Sequence, residues 1–128
     1  MAKHRFYLCA SSADAGLTTT SLGTARALDR RGIRVAFCKP ISQRPVTEEN
    51  PDPSTIFAEK FLSIKPPAPI DLTVAEQFIR EKKVDDLMEK VVEMIEGLSE
   101  KADVLIIEGL LAEESQTFKN RLNRDIAR

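Results

Sequence analysis

The sequence has 128 residues, 42% of them apolar, which is enough for one domain with a core and too few for two ordinary domains. Its 19 basic and 20 acidic side chains nearly cancel, which argues against nucleic acid or an anionic membrane as a partner. The apolar run near the first residue is too short for a signal peptide or a membrane span, and we therefore expect a cytoplasmic protein.

The two cysteines give a second prediction about the interior. Cys9 and Cys38 each lie in an apolar, strand-like run, and neither has a CxxC neighbour. This arrangement favours two buried, reduced thiols over a disulfide or a metal site.

The first forty residues predict one βαβ unit. Residues 5–10 form a compact apolar run between polar and small residues, which is typical of a buried parallel strand. Residues 17–31 show helical apolar spacing, and Gly32 follows where a helix often ends in a left-handed residue. Residues 33–40 are β-branched and aromatic and predict a second strand, ended by Pro40.

Two short helices are predicted in the middle of the chain. A proline-rich, acidic loop precedes a helix over residues 54–62, for which Ser54 is the expected N-cap. Residues 71–80 form the next predicted helix, with Thr73 and Glu76 at the spacing of a capping box.

The remainder alternates helix and strand again. Residues 81–99 predict an amphipathic helix whose apolar face contains Val84, Leu87, Met88, Val91, Val92, Ile95 and Leu98. Residues 103–107 predict a third strand, and residues 113–128 a last helix. The alternation predicts an α/β fold with a parallel sheet, helical layers and right-handed crossovers.

Polar residues follow each predicted strand. They are the loop from Ser11 to Thr18, then Lys39 and Gln43, and then Glu108. Each has an ordinary structural explanation by itself, such as a turn, a strand end or a helix cap. Because ligands bind beyond the carboxyl ends of parallel strands, their joint placement predicts an anion or nucleotide site.

The loop after the first strand matches a phosphate-binding loop only in part. Against the pattern GxxxxGK[ST], Ser11 stands at the first glycine, Leu17 replaces the lysine, and Gly16 and Thr18 match. Taken by itself, this partial match favours an ordinary small-residue turn that leads into a threonine-capped helix. The candidate binding residues are Ser11, Ser12, Gly16, Thr18, Thr19, Lys39 and Gln43, and the candidate metal ligands are Glu108 and, less directly, Asp52.

The segments AGLTTTSLGTARALDRRGIRVAFCKPISQ, IIEGL and QTFKNRLNRDIAR resemble the N-terminal domain of the long form of bacterial phosphate acetyltransferase. That domain is itself similar to dethiobiotin synthetase and other P-loop proteins. The resemblance covers about residues 5–128 and implies a three-layer, P-loop-type sheet, of which this chain holds about three strands. An incomplete sheet would leave an apolar edge open to further strands or to self-association.

The resemblance also implies roles for particular residues. In the synthetases, the residues corresponding to Thr18, Lys39 and Glu108, and less clearly Asp52, contact nucleotide phosphates or Mg²⁺. Leu17 is typical of the acetyltransferase family, and without the lysine we do not expect ATP-driven chemistry.

The resemblance therefore implies a regulatory or assembly domain that is not catalytic alone, with residues 1–128 as its N-terminal part. The whole enzyme would interconvert acetyl-CoA and phosphate with acetyl phosphate and coenzyme A, using a catalytic domain absent from this chain. Its partners would be the rest of its own polypeptide and further copies in a homo-oligomer. Two alternatives stay open: a small ATP- and Mg²⁺-dependent ligase of the dethiobiotin synthetase type, and a freestanding nucleotide- or metabolite-binding module.

Overall fold

The computed structural model describes residues 2–9, 16–111 and 117–128, and within them three strands alternate with five helices. The elements are β1 (His4–Leu8), α1 (Leu17–Arg30), β2 (Val35–Cys38), α2 (Pro53–Phe61), α3 (Leu72–Arg80), α4 (Val84–Ser99), β3 (Val104–Glu108) and α5 (Thr117–Ala127). The strands form one parallel sheet in the order β1-β3-β2. The predicted α/β class with a parallel sheet is confirmed.

Alternate residues of β2 and β3 point into different helical layers, as the two-residue period of a strand requires. Phe37 and Ile106 pack with Ala25 of α1 and Ala58 of α2. The intervening residues of both strands pack on the other face, among Val91, Ile95 and Leu98 of α4. The sheet is therefore the middle of three layers, and it places the carboxyl ends of the strands at one edge.

A third apolar cluster lies beyond the carboxyl ends of β2 and β3 and contains residues of three helices. Leu72 of α3, Leu87 of α4 and Leu122 of α5 pack around Leu110, which lies just after β3. This cluster fixes the chain as it leaves the central strand. Within the described residues, no helix has the length and apolarity needed to cross a membrane.

Glycine conformations at both ends of α1 agree with the sequence pattern. Gly16 precedes the helix with φ 72°, and Gly32 follows it with φ 81°. Both values lie in the left-handed region, where a side chain would be strained. The predicted end of the helix before Gly32 is confirmed.

The predicted caps of α2 and α3 are wrong, because an aspartate immediately before each helix takes the role. Asp52 accepts a hydrogen bond from the Thr55 N–H at 3.0 Å, and α2 begins at Pro53. Asp71 accepts from the Thr73 N–H at 2.7 Å, and the Thr73 hydroxyl also donates to Asp71. An aspartate side chain reaches the free N–H groups of the first turn at least as well as serine or threonine.

Three predictions of burial are also wrong. β1 is not a buried strand: its residues from His4 to Phe6 are exposed, because it lies at the edge of the sheet and pairs with β3 on one side. Cys9 is exposed, whereas Cys38 is buried as predicted. Val92 was placed on the apolar face of α4 but is 55% exposed. The start predicted for the last helix, residues 113–116, lies outside the described residues.

Candidate functional site

A cavity of about 570 Å³, the strand-end cavity, opens beyond the carboxyl ends of the strands. Its lining includes Thr18, Lys39, Gln43, Arg44, Asp52 and Ser54. Four of these residues are candidate site residues from the sequence, all but Arg44 and Ser54. The fold therefore brings together residues from the first turn of α1, the loop after β2 and the first turn of α2.

Two hydroxyl groups of the cavity lining hold the side chain of Glu108. Thr18 Oγ1 donates to Glu108 Oε1 at 2.7 Å, and Ser54 Oγ donates to the same oxygen at 3.3 Å. Glu108 is 2% exposed, and its Oε2 has no hydrogen-bond partner in the described part of the chain. A buried carboxylate oxygen without a partner is costly, so Oε2 is suited to accept a cation or a hydrogen-bond donor.

Lys39 and Asp52 form a buried ion pair in the same cavity. Lys39 Nζ lies 3.1 Å from Asp52 Oδ1, and the side chains are only 7% and 3% exposed. Asp52 Oδ2 also accepts from the N–H and the hydroxyl of Thr55. The lysine predicted to bind anions is thus already neutralised by a carboxylate that also caps α2.

Gln43 joins the chain segments that follow β2 and β3. Its Oε1 accepts from the Leu111 N–H at 2.7 Å, and its Nε2 donates to the Leu111 carbonyl oxygen at 3.5 Å. The buried Lys119 of α5 donates to the Gln43 carbonyl oxygen at 3.4 Å. Gln43 therefore shapes the rim of the cavity through contacts to the backbone.

Two other residues of the phosphate-loop region, Leu17 and Thr19, do not line the strand-end cavity. Leu17, at the place of the lysine, is buried with 7% exposure and belongs to the core. Thr19 is exposed and lines a separate groove between α1 and α2. Ser11 and Ser12 lie outside the described residues.

The oxygen atoms around Glu108 fit a small, hard cation. Mg²⁺ prefers carboxylate, hydroxyl and water oxygens and commonly keeps several water ligands. The hydroxyls of Thr18 and Ser54 and the buried, unpaired Oε2 of Glu108 supply such oxygens among the described residues, whereas Asp52 is already bound to Lys39 and Thr55. In residues 2–9, 16–111 and 117–128, no three histidine, cysteine, aspartate or glutamate side chains form a metal-binding group. The fit therefore depends on hydroxyl oxygens and one carboxylate.

The sequence profile of a family described as an AAA domain matches residues 4–128. The chain belongs to this AAA domain family. The P-loop-like character that the resemblance implied is confirmed by this match and by the parallel sheet.

The AAA domain is also similar to phosphate acetyltransferases of several bacteria. It is 34% identical over 124 residues to the phosphate acetyltransferase of Nitrosomonas europaea. The aligned residues are 97% of this chain and 18% of that relative. The domain is 42% identical over 114 residues to the phosphate acetyltransferase of Deinococcus radiodurans, covering 88% of this chain and 16% of the relative. The resemblance to this enzyme family is confirmed, and the chain spans less than a fifth of the length of these relatives.

Sequence reasoning missed the residues that hold the end of β3 in this AAA domain. The Asn123 side chain of α5 accepts from the Leu110 N–H and donates to the Leu110 carbonyl oxygen, both at 2.8 Å. The Tyr7 hydroxyl donates to Asn123 Oδ1 at 2.6 Å, and burial raises the pKa of Tyr7 above its usual range. Gly109 lies against this pair with no room for a side chain. No local pattern signals this arrangement, because its members come from both ends of the chain.

The contact made by Ser54 is a further feature that sequence reasoning missed. The sequence marked Ser54 as a helix cap, whereas its hydroxyl turns toward Glu108 and leaves capping to Asp52. The pair Asp52–Pro53 could have indicated that Asp52 and not Ser54 caps α2, since aspartate at the N-cap followed by proline at the first helical position is a common helix start.

Proposed function

We propose that this AAA domain is the N-terminal regulatory and assembly domain of a phosphate acetyltransferase. The whole enzyme interconverts acetyl-CoA and phosphate with acetyl phosphate and coenzyme A in the cytoplasm. The similarity to phosphate acetyltransferases, of which the chain spans only 16% to 18%, supports a division in which another part of the polypeptide performs acetyl transfer. The partners of the domain are then the rest of that polypeptide and its copies in a homo-oligomer.

The observation that carries the regulatory part of the proposal is the buried carboxylate of Glu108, whose Oε1 is held by two hydroxyls of the cavity lining and whose Oε2 has no hydrogen-bond partner among the described residues. The cavity, about 570 Å³, has room for a small metabolite or a nucleotide. Thr18 and Glu108 would hold Mg²⁺, and Lys39 would contact a phosphate group. The ion, when bound, neutralises the charge of phosphate oxygens that would otherwise be repelled by the carboxylate.

The surroundings of Leu17 favour binding over phosphoryl transfer. A phosphate loop that supports transfer supplies a fixed lysine charge at this position, where it stabilises the charge on the transferring group. Here the position holds a buried leucine, and Lys39 is paired with Asp52. These two features count against an ATP-dependent ligase of the dethiobiotin synthetase type.

Two experiments test the proposal. Mass spectrometry of the native protein from its own cells should find a species several times heavier than the 14.3 kDa of this chain. In that enzyme, Glu108→Gln should abolish the response of acetyl transfer to Mg²⁺ plus ATP, while acetyl transfer without ATP continues. Glu93→Gln on the exposed face of α4 is the matched control. A native species near 14.3 kDa would contradict the assignment to a larger enzyme. Loss of all acetyl transfer by correctly assembled Glu108→Gln enzyme would contradict the regulatory role.

A further inference from the structure

The first turn of α2 is attached to the strand ends by two side-chain contacts. Asp52, its N-cap, pairs with Lys39, which directly follows β2. Ser54, in its first turn, donates to Glu108, the last residue of β3. The beginning of α2 is therefore held by Lys39, which lines the strand-end cavity, and by the buried carboxylate of Glu108 behind its lining.

A ligand in the cavity would compete for both contacts. An anionic group that reaches Lys39 competes with Asp52 for the ammonium group. A cation at Oε2 of Glu108 withdraws negative charge from the carboxylate, so the hydrogen bond from Ser54 to Oε1 becomes weaker. Occupancy of the cavity by a cation and a phosphate group should thus loosen the start of α2.

The middle and the C-terminal end of α2 carry two exposed aromatic side chains. Phe57 and Phe61 are 50% and 46% exposed, and their ring centroids lie 6.3 Å apart. Arg26 of α1 lies 4.7 Å from the centroid of the Phe61 ring. With Leu22, these residues line a groove of about 260 Å³, the α1–α2 groove. Because α2 forms one wall, a shift of α2 changes the shape of the groove.

We propose that α2 couples occupancy of the strand-end cavity to the shape of the α1–α2 groove, with Asp52 and Ser54 as positioning residues. The inference rests on the proposed function, since it requires a cation and a phosphate-bearing ligand in the cavity. α2 suits this role because it has nine residues, of which only Ser54 and Ala58 are buried. A short helix with few buried residues opens and shifts more easily than the core of a domain.

Hydrogen exchange on the full-length protein tests the effect of ligands. The probes are Mg²⁺ with ATP and Mg²⁺ with inorganic phosphate, and calorimetry measures whether each binds. With a bound probe, amides of residues 57–62 should exchange about threefold to tenfold faster, while amides of α4 keep their rates. Binding without a change in the exchange of α2 overturns the inference and leaves the proposed function standing.

Variants that remove the two contacts test, without any ligand, whether these contacts hold α2 in place. Ser54→Ala and Lys39→Met should each accelerate exchange in α2 and not in α4, whereas the exposed controls Ser63→Ala and Lys60→Met should not. If no probe binds, the inference fails together with the proposed function, even where the variants selectively loosen α2. If Ser54→Ala behaves like its control, the coupling is overturned whatever binds. Should Lys39→Met fail to fold, the Ser54→Ala result decides.

Discussion

The Thr18 hydroxyl donates a 2.7 Å hydrogen bond to Glu108, joining residues 90 positions apart in the chain. Thr18 lies in the first turn of α1, and Glu108 ends the central strand. The bond satisfies Oε1 of a buried carboxylate, whereas Oε2 is buried without a hydrogen-bond partner in the part of the chain that the structure describes. A buried carboxylate oxygen without a partner costs stability, so the proposed ligand role and the cost to stability can be tested at the same residue.

Glu108→Gln should separate the contribution of Glu108 to Mg²⁺ binding from its contribution to stability. The amide keeps the shape and the acceptor for the two hydroxyls but removes a buried charge, and it leaves its NH₂ without an acceptor. These effects oppose each other, so we expect the free energy of unfolding to stay within about 1 kcal/mol of wild type. The increase in Tm caused by Mg²⁺ should disappear. Urea unfolding and thermal melts with and without Mg²⁺ measure both effects, and an unchanged Mg²⁺ response would show that Glu108 is not a ligand.

Lys39→Met should destabilise the domain by about 3 kcal/mol, because it leaves the Asp52 carboxylate buried without its counter-ion. Asp52→Asn should also be destabilising, although the amide oxygen can still cap α2. The double variant should lie closer to wild type than the sum of the single effects. A double-mutant cycle from urea unfolding measures the coupling, and strictly additive effects would contradict a buried pair.

Gly109→Ala should destabilise the domain by about 2 kcal/mol through overpacking. A Cβ at Gly109 would lie 2.8 Å from Tyr7 Cζ and 2.9 Å from Asn123 Oδ1, both of which are fixed by a hydrogen bond. Tyr7→Phe removes the hydroxyl and should restore part of the loss. Gly97→Ala is the matched control, since a Cβ meets nothing there, and it should stabilise α4 by about 0.5 to 1 kcal/mol. Equal effects at both glycines would refute the steric explanation.

The two cysteines should react at very different rates. Cys9 is exposed, whereas burial raises the pKa of the Cys38 thiol to about 12. At pH 8 a thiol reagent should modify Cys9 quickly and Cys38 only after denaturation, and Cys9→Ser should remove the fast phase.

The unfolded chain loses the Cys38 proton near the ordinary pKa of 9.0, while the folded protein keeps it. The contribution of Cys38 to stability is therefore lost as the pH rises from about 9 toward 12. Two fast thiols in the native protein would contradict the structure.

Leu17→Lys should not create ATP hydrolysis, although it restores the lysine of the phosphate-loop pattern. The leucine is buried at the start of α1, where a cation is disfavoured by desolvation and by the helix dipole. We expect a loss of about 1 to 3 kcal/mol in the free energy of unfolding. Phosphate release from ATP with Mg²⁺ is the assay, and Leu17→Met is the control. Release above that of the control would revive the ligase alternative.

The sequence by itself determined the order of helices and strands, the parallel α/β class and the family. These properties follow from local periods and short motifs, such as the apolar run before Glu108 and the glycine after α1. It also predicted a site at the strand ends, where the structure has the strand-end cavity, because that rule depends only on which residue follows each strand.

Only the tertiary structure decided what the site residues do. Asp52 lies beside Lys39 and Ser54 beside Glu108 because the loop after β2 returns α2 to the sheet, and no local pattern specifies that path. The exposure of β1 likewise depends on the order β1-β3-β2, which puts β3 in the middle and β1 at an edge. Spacing along a chain predicts which face a residue shares with its neighbours, whereas long-range partners are set by how whole elements pack.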